Sequence, residues 1–146
     1  MAPMLSRAKI KDTKEWVVGY YACESNHACT QGSLKYTHYI FRDEFMDWNI
    51  GGLVQYIVDP DTVGRDTGLV DKNGNHVFEG DIVEGHLHSA WHHDVMRCVV
   101  AYGRNGFESR HYLNYKRSDS HYYAYKVLYS GDVVVIGNIH DNPELL

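Results

Sequence analysis

The stretch Leu69-Val-Asp-Lys-Asn-Gly-Asn-His-Val-Phe-Glu-Gly-Asp-Ile-Val83 decides the fold class. Asp71-Lys-Asn-Gly74 has turn chemistry: an aspartate whose carboxylate can accept from loop amides, then a glycine free to take positive φ. Val70 on one side and Val77-Phe78 on the other can pair as the arms of a β-hairpin. Glu79-Gly-Asp81 makes a second tight break, after which Ile82-Val83 restarts a strand. Gly64, Gly68, Gly74 and Gly80 are expected to serve turns, with Asp71 and Asp81 capping loops.

Outward from this block the apolar pattern stays short and two-fold, the signature of strands. Residues 15–21, 35–41, 53–58, 95–102, 121–129 and 132–140 are rich in β-branched and aromatic side chains and are bounded by Gly, Asn, Asp or Pro. No window carries a convincing helical stripe, although residues 43–49 have room for one helical turn. Imperfect alternation in several strands predicts burial on both faces. The expectation is an all-β chain of about eight short strands, a small barrel or sandwich, with Asn138 and Asn142-Pro143 shaping its C-terminal exit.

Three blocks in order resemble the YopX family of phage and prophage proteins. The central one comprises Thr62-Val-Gly64, Thr67-Gly-Leu69, Asp71 to Gly74 and Glu79 to Val83. Val135-Ile-Gly-Asn-Ile-His-Asp-Asn-Pro-Glu-Leu-Leu146 is similar to the family's ending, and Glu15-Trp-Val17 with Gly19-Tyr20 to its opening. The resemblance implies a small SH3-like barrel core with an additional β-subdomain. It implies one domain over residues 1–146, divided into an N-terminal β-part (1–58) and a barrel-like core with the C-terminal strand (59–146). It also implies a phage or prophage origin, and no reaction.

Composition narrows the function classes. The chain has 146 residues, 44% of them hydrophobic, and a net charge of −5. That acidity argues against a wholly basic nucleic-acid binder. No apolar run approaches the ~18 residues of a membrane span, and the N-terminus has no secretory h-region. Three cysteines form no disulfide framework, which predicts a reducing, cytoplasmic setting.

Charge, histidine and tyrosine are unevenly spread. Residues 86–129 carry six Lys/Arg against three Asp/Glu, with six of the ten histidines and seven of the twelve tyrosines. Arg97, Arg104, Arg110, Lys116 and Arg117 interleave there with aromatics including Tyr112, Tyr115 and Tyr123. Cations that track phosphates beside rings that stack on bases suit a single strand; the same tyrosines suit a protein contact.

His86-x-His88 on a strand would put two imidazoles on one face. With His92, His93 and either Glu84 or Asp94 they could hold Zn, Ni or Fe, but nothing fixes a third ligand. Cys23, His27 and Cys29 offer three zinc-competent groups and lack a fourth. Cys98 reads as a small core residue, and Glu79 and Asp81 are separated by a turn glycine rather than paired for acid–base work. The glycine-rich stretch is no phosphate loop, because Lys72 precedes Asn73 and strands flank it on both sides. The expectation is a non-catalytic binding or assembly module without cofactor, partnered by itself or by a phage or host protein. Single-strand binding through residues 97–125 and a metal-dependent enzyme at residues 86–93 are the alternatives.

Overall fold

The structure, a computed structural model, describes residues 4–25, 36–46, 50–85, 96–103, 106–111, 124–127 and 133–146. Among these are eleven strands: β1 (Ser6–Lys9), β2 (Trp16–Ser25), β3 (Tyr36–Met46), β4 (Ile50–Ile57), β5 (Gly64–Val70), β6 (His76–Phe78), β7 (Asp81–Gly85), β8 (Met96–Gly103), β9 (Gly106–His111), β10 (Ala124–Val127) and β11 (Val133–Asn138). Two short 3-10 helices, Pro60–Thr62 and Pro143–Leu145, complete the described elements, and no described helix is long and apolar enough to cross a membrane. The residues divide into two compact units, Met1–Arg65 and Asp66–Leu146. The boundary between them falls inside β5. Gly64 and Arg65 pair with β1, whereas Asp66 and Val70 pair with β6.

In the first unit the antiparallel order is β4-β3-β2-β1. Alternation along the strands sends Ala8, Val17, Ile40 and Val58 to one face, where they form a buried core with Ile10, Tyr56 and Val63 packed against it. Gly19 permits the close approach of β2 and β3. A Cβ there would stand 2.2 Å from the Phe41 carbonyl oxygen. The ladder is drawn back on itself at one corner by an isolated bridge between Ile10 and Val58. There the Lys11 N–H donates to the Ile57 carbonyl at 2.9 Å, and the Asp59 N–H donates to the Lys9 carbonyl at 2.9 Å. Thr62 completes the tie: its hydroxyl accepts from the Lys9 N–H and donates to the Asp59 carbonyl, both at 2.8 Å.

In the second unit β7, β8, β9, β10 and β11 form an antiparallel sheet in the order β10-β9-β8-β7-β11. Val77, Val83, Cys98, Val100 and Val133 make its core, with Leu69 and Val135 against them. Ile82, Val83, Cys98 and Val99 are all fully buried, so β7 and β8 are covered on both faces and lose the alternation of a half-exposed strand. The β5–β6 turn is organised by Asp71, which is itself buried. One carboxylate oxygen accepts from the backbone N–H groups of Asn73 and Asn75, each at 2.8 Å. The other accepts from the Asn75 side chain at 3.2 Å and from the backbone N–H of Val135, in β11, at 3.1 Å. Asp81 caps the next turn by accepting from the Phe78 N–H at 2.8 Å. At the C-terminus the Asn138 side-chain oxygen accepts from the N–H groups of His140 and Asp141, each at 3.0 Å.

Three expectations change. The described sheets are open, not closed into the SH3-like barrel, because each strand order ends in an edge and one bridge does not make a ladder. Residues 43–46 continue β3, paired residue by residue with β4, instead of forming a helical turn. Gly64 is a buried strand residue opposite Arg7, whereas Gly68, Gly74 and Gly80 have positive φ.

Burial by itself pushes the Asp71 carboxyl up, but the hydrogen bonds from Asn75, Val135 and Asn73 outweigh it and hold the group below the ordinary carboxylate value. A depressed folded value contributes stability above the unfolded pKa of about 3.9, which is lost as pH falls towards the folded value. Asp71→Ala is expected to cost roughly 2–4 kcal/mol at pH 7 in urea titrations, and to flatten the loss of stability below about pH 4. Gly19→Ala should cost about 3 kcal/mol or more, since neither backbone can yield to the added methyl.

Candidate functional site

Because one face of the first unit's ladder is spent on the core, the register fixes what the other face carries. Cross-strand partners share a face, and side chains two residues apart repeat it. Lys9 and Trp16 form one row, Arg7 and Val18 the next, Tyr20, Phe41 and Gln55 a third, Ala22, Tyr39 and Ile57 a fourth, and Glu24 with Thr37 a fifth. Asp43 pairs with Leu53 on the same face.

This outer face is open and carries several exposed apolar side chains among its charged and polar ones. Leu53 is 63% exposed, Ile57 50% and Tyr20 39%. Tyr39 and Phe41 lie against each other with ring centroids 6.1 Å apart. At the β1 end the Arg7 guanidinium stands 4.6 Å and the Lys9 ammonium 5.3 Å from the Trp16 ring centroid, a doubled cation–π contact that fixes the indole. Edge strand β4 reads Ile-Gly-Gly-Leu-Val-Gln-Tyr-Ile, with no charge and no proline to discourage pairing.

The opposite face is polar towards the ends of β2 and β3. The Tyr21 hydroxyl meets His38 Nδ1 at 2.5 Å with the rings stacked, and the Tyr56 hydroxyl donates to Glu44 at 2.5 Å. Desolvation, then the neighbouring Cys23, raises the Tyr21 phenol above its usual value. Near these groups Lys11, Lys14, Tyr36, Thr37, His38, Ile57, Val58, Asp59 and Pro60 line a cleft of ≈ 310 Å³.

The residues singled out in the sequence fare differently. Arg97 is engaged: its Nε donates to Glu84 at 2.8 Å and its Nη1 to the Leu145 carbonyl at 3.4 Å. Arg110 lies in β9, opposite Val99 and Ala124. Arg104, Tyr112, Tyr115, Lys116, Arg117 and Tyr123 lie outside the described residues, as do His86, His88, His92, His93, Asp94, His27 and Cys29. Among the described residues no group of three or more His, Cys, Asp or Glu gathers for a metal ion. The outer face itself was missed. Its signal was present in Val18, Tyr20, Ala22 and Tyr39, Phe41, spaced by two, but sequence alone does not say which face of a strand is buried.

Cys98 is fully buried in β8, and burial pushes its thiol up to about 11, whereas Cys23 is exposed. Iodoacetamide at pH 8 is therefore expected to label Cys23 quickly in the native protein, and Cys98 only after unfolding. Peptide mass spectrometry reads the two sites separately; rapid native labelling of Cys98 would contradict this packing.

The family model described as YopX protein matches residues 7–146. The crystal structure of protein EF1440 from Enterococcus faecalis is similar over 100% of this chain and 99% of that one, at 25% identity and a TM-score of 0.51. No curated protein matches.

Proposed function

The chain belongs to the YopX family, a membership that assigns no reaction, and from that premise we propose that it is a non-catalytic assembly module that pairs with a second copy through the outer face of β1–β4. The observation that carries this reading is the open apolar face itself, with Leu53 and Ile57 at least half exposed. Contiguous apolar surface of this kind marks protein contacts.

Charge placement selects a second copy as the occupant. A two-fold axis across the strands at the row of Tyr20, Phe41 and Gln55 exchanges the rows on either side of it. Val18 then faces Ala22, Leu53 faces Ile57, and the Lys9 end of one copy meets the Glu24 end of the other. Val18 sits opposite the smaller Ala22, and the cationic end of one copy opposite the anionic end of the other. The footprint is roughly 27 Å along the strands by 19 Å across them, of the order of one side of a standard interface.

Single-strand binding through residues 97–125 has less support, since Arg97 is already held by Glu84. The imidazoles on which a metal-dependent reaction would rest lie outside the described residues. A phage or prophage setting in the host cytoplasm fits the sequence blocks and the odd cysteine count.

Charge reversal tests the two-fold arrangement. Lys9→Glu and Glu24→Lys are each expected to weaken the dimer about three- to tenfold in sedimentation equilibrium, and the double variant to recover most of the loss. Additive losses in the double variant would contradict it.

A further inference from the structure

The turn between β1 and β2 holds a residue in an unfavourable conformation. Lys14 has φ 62, a region that side chains oppose and glycine takes freely. The turn is fastened on both sides of it: the Ile10 N–H donates to the Glu15 carbonyl and the Lys14 N–H to the Ile10 carbonyl, both at 2.9 Å. A glycine would relieve the strain, yet a lysine stands there. That lysine and Lys11 both line the ≈ 310 Å³ cleft.

Neither ammonium takes part in an ion pair among the described residues. The one acid in the lining, Asp59, directs a carboxylate oxygen to the Asp61 N–H at 3.1 Å, capping the 3-10 helix. The remaining wall is aromatic and apolar: Tyr36, 52% exposed at the start of β3, with Ile57 and Val58. His38 adds an imidazole whose Nδ1 is occupied by the Tyr21 hydroxyl at 2.5 Å.

Two lysines without an ion pair among the described residues, beside an exposed ring, suit a ligand that joins negative charge to a flat, stackable group. A cleft near the lower end of the usual range of about 300–1,000 Å³ holds one such unit and no more. We propose that this cleft binds a single nucleotide, with its phosphate on Lys11 and Lys14 and its base against Tyr36. The source is either a free nucleotide or the phosphorylated end of a single strand, since both present the same chemistry. Lys11 and Lys14 lie in the β1–β2 turn, outside the rows of the outer face, although Thr37 and Ile57 belong both to the cleft lining and to those rows.

Titration calorimetry on the full chain at low salt tests it with adenosine monophosphate, adenosine, inorganic phosphate, and a short oligothymidylate with and without a 5′-phosphate. Saturable binding of the monophosphate is expected, weakening as salt rises, with adenosine at least about tenfold weaker. Lys11→Ala and Lys14→Gly should each weaken it by about fivefold or more. Tyr36→Leu should weaken the nucleotide while leaving inorganic phosphate unchanged. Lys14→Gly carries a second readout: its Tm should equal or exceed that of the unaltered chain, because glycine adopts the same φ without strain. It therefore stays informative even if Lys11→Ala does not fold. Equal binding of the phosphorylated strand and the monophosphate points to strand ends; binding of the monophosphate alone points to a free nucleotide. No saturable binding of either up to about 10 mM overturns the proposal. So do lysine variants that bind like the unaltered chain, or adenosine that binds as well as its monophosphate.

Discussion

A single carboxylate, that of Asp71, organises the second unit. It is buried, and four N–H donors converge on its two oxygens: three from the turn it begins, and one from Val135, far along the chain. Burying an ion is costly unless its lone pairs are met, so the turn must adopt the one geometry that meets them. That geometry fixes the β5–β6 hairpin and holds β11 beside it. The Lys72 N–H donates to the Val133 carbonyl at 3.1 Å, repeating the same connection through the backbone. Val133, Val77 and Val83 then enter one core.

The first unit is governed by a different constraint, the shortage of core relative to strand. Its ladder is long, yet among the described residues the fully buried cluster is Ala8, Val17, Ile40 and Val58. β2 and β3 run on beyond that cluster, and aliphatic side chains on the far face, Leu53 and Ile57 among them, stay at least half exposed. Residues such as Leu53 and Ile57 stabilise nothing by lying in water. On the reading proposed above, that face lies against another surface.

Much of the fold was legible because its signals are local. Asp71-Lys-Asn-Gly74 specifies its turn within four residues, and β-branched runs bounded by glycine and asparagine specify strands. Strand limits, closure and the roles of individual glycines were less legible, because they depend on partners distant in sequence. Gly64 reads as a turn residue until it is paired with Arg7. Residues 43–49 have room for a helical turn in the sequence, until β4 is found paired along 43–46. The outer face was invisible for the same reason. A run such as Val18, Tyr20, Ala22 declares a two-residue period but not the direction of the core, and only the packing of Val17 and Ile40 settles that. The cleft proposed to hold a nucleotide is less legible still, since its lysines come from the β1–β2 turn and its tyrosine and histidine from β3.

The central claim is that the outer face of β1–β4 meets its own copy in solution. Light scattering across a concentration series, on the unaltered chain at moderate salt, addresses it most directly. The account predicts a particle of twice the 16.8 kDa chain mass, dissociating on dilution as a two-fold dimer does. A mass that stays at that of one chain up to concentrations of about 1 mM would contradict it.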